Sequence, residues 1–110
     1  MPDTALPPVL QAFRTAINAG DTEAFIALFP TDGAVEDWGR RFSGHQAILN
    51  WSAKELIGAK GILSYGEVIE RGPNRISLDT HWASAFFTGD SVFTFVLGDD
   101  QIRELKISAG

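Results

Sequence analysis

Ile62-Leu63-Ser64-Tyr65-Gly66-Glu67-Val68-Ile69-Glu70 marks the point at which this chain changes character. Before it, apolar residues recur at helical spacing. From Ile62 onward they come in β-rich runs separated by turn signals at Arg71-Gly72-Pro73-Asn74, Thr88-Gly89-Asp90 and Gly98-Asp99-Asp100. The second half therefore reads as strands in hairpin succession. Upstream, Pro7 and Pro8 suit the first turn of a helix, where a missing N–H costs nothing, and Leu10, Phe13 and Ile17 carry its apolar stripe as far as Gly20. Asp21 can cap a second, short helix whose stripe is Ala24, Phe25, Leu28 and Phe29 and which Pro30 stops. Thr31-Asp32-Gly33 reads as a turn into a brief strand, Ala34 to Asp37, followed by a polar Gly-Arg-Arg segment. Ser43 and Gln46 have capping-box spacing ahead of Ala47, Ile48 and Trp51, so a third helix is expected to about Ile57.

Three helices followed by a meander predict an α+β domain with the helices covering one face of an antiparallel sheet. The 110 residues suffice for one domain, 1–110, and 45% hydrophobic content is enough to bury a core. Tyr65, Val68, Ile69, Phe86, Phe87, Phe93 and Phe95 exceed the apolar content of a one-sided sheet, which predicts a homodimer through the open sheet face. Fourteen acidic against nine basic residues leave a net charge of −5, a poor match for a phosphate backbone. Nucleic acid is not an expected partner. No apolar run approaches the ~20 residues that span a bilayer and no signal-peptide pattern opens the chain, so the expected location is the cytoplasm and no membrane contact is expected. There is no cysteine. The two histidines, His45 and His81, stand apart and without ligand spacing, so neither metal nor nucleotide cofactor is expected. His45 should be neutral and solvated at the start of the third helix, and His81 should face the dimer interface. Ser43, Ser52, Ser64 and Ser91 lack the context of a serine nucleophile.

Several local phrases, in this order, carry a resemblance: Asn18-Ala19-Gly20-Asp21, Leu28-Phe29, Ala34-Val35-Glu36-Asp37, and Gly44 with Ala47-Ile48. Together they resemble the nuclear transport factor 2-like superfamily, especially its SnoaL-like and ketosteroid isomerase-like branches. The resemblance implies a cone of helices on a curved sheet enclosing a pocket for a small hydrophobic molecule. The fold by itself implies no single reaction. In ketosteroid isomerases an Asp base works with an oxyanion hole made of a Tyr and a protonated Asp. The resemblance implies Asp37 as the base, because it ends the Val35-Glu36-Asp37 phrase. The tyrosine position holds Phe13, and the acidic one falls near Ser91, with Asp90 in the expected turn.

Read on its own, Asp37 is first of all a solvated carboxylate opening a turn, and only the resemblance brings the base reading level with that one. On the last strand, alternation groups Ile102, Glu104, Lys106 and Ser108 against Arg103, Leu105 and Ile107, and leaves open which set is inside. The resemblance turns the first set toward the cone, making Glu104 and Lys106 a polar pair able to hold a carbonyl, hydroxyl or carboxylate. A single β-bulge reverses that assignment. On the strand before the Thr88 turn, Leu78, Thr80, Trp82, Ser84 and Phe86 are assigned to the concave side, and Asp79, His81, Ala83 and Ala85 to the other. The candidate site is thus Asp37, Glu104 and Lys106 for chemistry, with Phe13, Trp38, Trp51, Thr80 and Trp82 as pocket wall, although large aromatics at such positions are more often core. Two functions fit this set: acid–base catalysis on a small hydrophobic substrate, and a non-catalytic module that binds a ligand or simply dimerises.

Overall fold

A computed structural model describes residues 6–85 and 88–109. Phe86, Phe87 and their expected places on the sheet lie outside the described residues. In chain order the elements are α1 (Pro8–Ala19), α2 (Thr22–Ile26), β1 (Ala34–Asp37), β2 (Arg40–Ser43), α3 (His45–Glu55), a 3-10 turn (Ile57–Ala59), β3 (Ile62–Arg71), β4 (Arg75–Ala83), β5 (Thr88–Gly98) and β6 (Gln101–Ser108). The strands form one six-stranded sheet in the order β2-β1-β6-β5-β4-β3. The α+β class holds, but the sheet is mixed, because β1 runs parallel to β6 while its other neighbours are antiparallel. Irregular register at Tyr65–Val68 and Val68–Glu70 in β3 and at Val96–Leu97 in β5 bends the sheet around the helices, as bulges do.

The phrase Asn18-Ala19-Gly20-Asp21 has a mechanical explanation. Asn18 donates to the Leu63 carbonyl at 3.0 Å and accepts from the Leu63 N–H at 2.7 Å, tying α1 to β3. Gly20 ends α1 in the left-handed region (φ 70°), a conformation that costs glycine little. Asp21 Oδ1 then accepts from the Ala24 N–H at 3.0 Å and starts α2. The buried stripe of α1, Leu10, Phe13, Ala16 and Ile17, meets Phe93 and Phe95 of the sheet and Phe25 of α2 in one continuous core.

Several sequence expectations need correction. The polar segment after β1 holds a strand that was not expected: Arg40 begins β2, and Trp38-Gly39 is a two-residue hairpin turn with φ of 53° and 87°. Ser43 does not cap α3, whose N-cap is Gly44 without a side-chain bond. His45 is half-buried rather than solvated, its Nε2–H donating to the Phe29 carbonyl at 2.9 Å. Thr88-Gly89-Asp90 belongs to β5 rather than to a turn, while Asp99 and Asp100 do form the β5–β6 turn, both at positive φ. Tyr65, Phe93 and Phe95 all pack on the core side, so they supply no apolar outer face. Among the described residues, the exposed large hydrophobics on the sheet are Ile62, Val68 and Ile69 of β3. No helix among the described residues is long and apolar enough to cross a membrane.

Candidate functional site

Asp37 ends β1 with its side chain on the core face. Its register partner on β6 is Ile107, just as the fully buried Val35 pairs with Leu105, and only 7% of Asp37 is exposed. A charge so placed requires partners, and two donors converge on Oδ2. The Trp51 indole Nε1–H donates at 3.0 Å and Arg40 Nη2 at 2.8 Å. Oδ1 receives neither. Trp51 is set by α3 and stacks on Phe42 of β2 with centroids 6.0 Å apart. Arg40 is the residue opposite Asp37 across the Trp38-Gly39 turn. Its remaining fork is bound to Glu55 at the end of α3, Nη2 to Oε1 at 2.7 Å and Nη1 to Oε2 at 3.0 Å. The bond to Glu55 raises the Arg40 guanidinium above its ordinary value, and Asp37 adds to this.

These residues border a cavity of about 530 Å³, a size that suits a small organic molecule. Its apolar wall is Trp82, Phe93 and Ile107 from the sheet with Trp51 and Leu56, and Ser91 adds a hydroxyl. Trp38, Arg40, Lys54 and Glu55 complete the lining. Trp82 can lie flat here because residue 61 is glycine: a Cβ at Gly61 would sit 2.5 Å from the indole Cζ2. Trp38 is 56% exposed and holds a left-handed backbone that non-glycine residues seldom adopt.

Of the candidate residues, Asp37, Trp38, Trp51 and Trp82 come together on this cavity. Glu104 and Lys106 do not. Val96 pairs with Glu104 but Leu97 with Ile102, so a bulge at Arg103 shifts the alternation, and Leu105 and Ile107 take the inner face. Glu104 instead accepts from Arg41 at 2.8 Å and Lys106 lies 4.0 Å from Glu36, both on the outer surface. Phe13 is fully buried among Phe25, Phe93 and Phe95, a core residue rather than pocket wall. Thr80 faces inward as expected but does not line this cavity; its hydroxyl donates to the Ser91 carbonyl at 3.0 Å. His81 and Asp79 are exposed on the other side, His81 Nδ1 lying 2.6 Å from Asp90 Oδ1. The sequence reading missed Arg40, Lys54 and Glu55. The signal for Arg40 was available: a two-residue turn ending in glycine makes its flanking residues, Asp37 and Arg40, direct cross-strand neighbours.

No protein-family model matches the sequence, and no curated protein matches it. Solved structures do. A protein from Sinorhizobium meliloti described as a "putative polyketide cyclase" superposes with a TM-score of 0.84 at 26% identity, over 98% of this chain and 100% of that one. The chain has the nuclear transport factor 2-like fold. A Δ5-3-ketosteroid isomerase from Mycobacterium sp. has a TM-score of 0.82 at 18% identity, covering 94% of this chain and 91% of that one. A Mycobacterium tuberculosis protein in complex with estradiol-17β-hemisuccinate has a TM-score of 0.76 at 19% identity, covering 91% and 89%. At such identities the last two likenesses speak for the nuclear transport factor 2-like fold alone.

Proposed function

We propose that the cavity binds a small hydrophobic molecule and that Asp37 acts on it as a general base, in an isomerase-, cyclase- or dehydratase-like reaction. The observation that carries this reading is a carboxylate on the wall of a largely apolar cavity, with Oδ2 held by Trp51 and Arg40 and Oδ1 bonded to neither. A base must be fixed in place and still offer a lone pair. The Trp51 and Arg40 bonds support the first requirement and leave Oδ1 for the second. Glu104 and Lys106 have no part in it. Polarising groups that line the cavity are the Ser91 hydroxyl, Arg40 and Lys54. The likeness in fold to a ketosteroid isomerase and to a protein holding a steroid ester supports a small-molecule ligand without naming one.

A second reading, a ligand-binding module without catalysis, is supported by the Arg40 bond at 2.8 Å, which keeps the Asp37 charge in an ion pair. In either case the chain is proposed to act in the cytoplasm and as a homodimer. The two readings separate with Asp37→Asn. Binding of hydrophobic ketones, lactones, epoxides or aromatic acids is followed by the fluorescence of Trp38, Trp51 and Trp82, and turnover by product analysis. Catalysis predicts turnover by the native protein, lost by about 10²-fold or more in the variant while binding persists. Binding without turnover in both proteins gives the second reading.

A further inference from the structure

The cations of the cavity bear on the chemical class of the ligand. Only nine of the 110 residues are Lys or Arg, in a chain of net charge −5, yet Arg40 and Lys54 both line this cavity. They differ in state. Arg40 presents its planar fork to Glu55 with two parallel bonds of 2.7 and 3.0 Å, the geometry by which guanidinium groups take carboxylates. The Lys54 ammonium, exposed beside it at the end of α3, has no hydrogen-bond or ion-pair partner among the described residues. The Arg40 and Glu55 side chains are 53% and 40% exposed, and ion pairs with that much contact with water hold weakly. Glu55 therefore shows how a carboxylate docks on this fork, at a rim open to water where another carboxylate can compete for it.

We infer that the ligand is an amphipathic carboxylate, with a ring-sized apolar body against Trp82, Phe93 and Ile107 and its carboxylate at the rim between Arg40 and Lys54, where it displaces Glu55. Within the site, Asp37 and Glu55 repel the incoming anion. Asp37 is already paired through Arg40, and Glu55 swings away into solvent as the ligand carboxylate replaces it. Lys54 is then the specificity-determining residue, because its charge is the one not already committed inside the protein. The inference rests on the reading of the cavity as a ligand site, but not on Asp37 acting as a base.

The test is calorimetric titration with 4-phenylbutanoate, 4-cyclohexylbutanoate and 2-naphthoate, each beside its primary amide, at low and high salt. Lys54→Gln and Glu55→Gln are compared with the native protein. The native protein should prefer each acid over its amide by about tenfold, the worth of one charge-assisted hydrogen bond. Lys54→Gln should abolish that preference, lowering acid affinity far more than amide affinity, Glu55→Gln should increase it, and salt should weaken acid binding alone. Amides binding as tightly as acids, or a preference that survives Lys54→Gln, overturns the inference and leaves the cavity reading intact. Silence from acids and amides together overturns both.

Discussion

Asp37 and Glu104 were equal candidates in the sequence, each a carboxylate on a strand, and one came to the cavity while the other went to the surface. Asp37 was legible because β1 is short and regular: two steps after an inward Val35 the side chain must face inward again. Glu104 was not, because an extra residue at Arg103 is paired with nothing, and a run of two polar residues carries no mark of which one is out of step. Tyr65 shows a residue whose role appears only in three dimensions. Its hydroxyl donates to the Leu10 carbonyl at 2.7 Å, and burial pushes the phenol above its ordinary value, although Arg14, 5.2 Å over the ring, works against this. The folded protein thus holds the phenolic proton more tightly than the unfolded chain does. That contribution is complete below about pH 10 and is lost as pH rises further, through the raised folded value. Urea unfolding at a series of pH values should show stability falling above about pH 10, and Tyr65→Phe should flatten this slope while costing about 1 kcal/mol at neutral pH. A slope unchanged in the variant would place the alkaline weakness elsewhere.

The elements were more legible than their edges. Every helix was found, α1 and α3 to within two residues, because apolar periodicity and the Gly20 and Asp21 signals agree, whereas α2 ends at Ile26, three residues short of the Phe29 expected before Pro30. β2 was missed because a strand of Arg40, Arg41, Phe42 and Ser43 at the sheet edge has no apolar alternation to read, only its pairing with β1. Phe13 was placed in the pocket by resemblance and belongs to the grip of α1 on the sheet. Its ring meets Phe95 at 5.2 Å and Phe25 at 5.8 Å, with no solvent exposure. Phe13→Ala should therefore cost about 3–5 kcal/mol in denaturant unfolding, the range for truncating a buried phenylalanine. It should act through the fold: midpoint falls, while ligand affinity of the fraction still folded is little changed. A variant that kept its stability but lost binding would return Phe13 to the pocket.

At the scale of the molecule, the sheet has two unlike margins. β2 is one edge and carries two arginines; β3 is the other, and there Ile62 and Ile69 are each 54% exposed and Val68 39%. An exposed apolar edge strand is a template for a second chain unless something covers it. Among the described residues the outer face beside it carries Asp79, His81 and Asp90, so the homodimer proposed above would draw its apolar contact from the β3 edge. A charge placed in that strip would have to be desolvated in a dimer and would remain hydrated in a monomer. Sedimentation velocity across a concentration series should show the native protein as a dimer and Ile69→Glu shifted to monomer. The variant's unfolding midpoint at high dilution should match the native one, because Ile69 is already in water within a single chain. A native protein that sediments as a monomer throughout removes the dimer. A dimer untouched by Ile69→Glu moves the contact from the β3 edge to another surface, with the polar outer face of β4 and β5 the next to test.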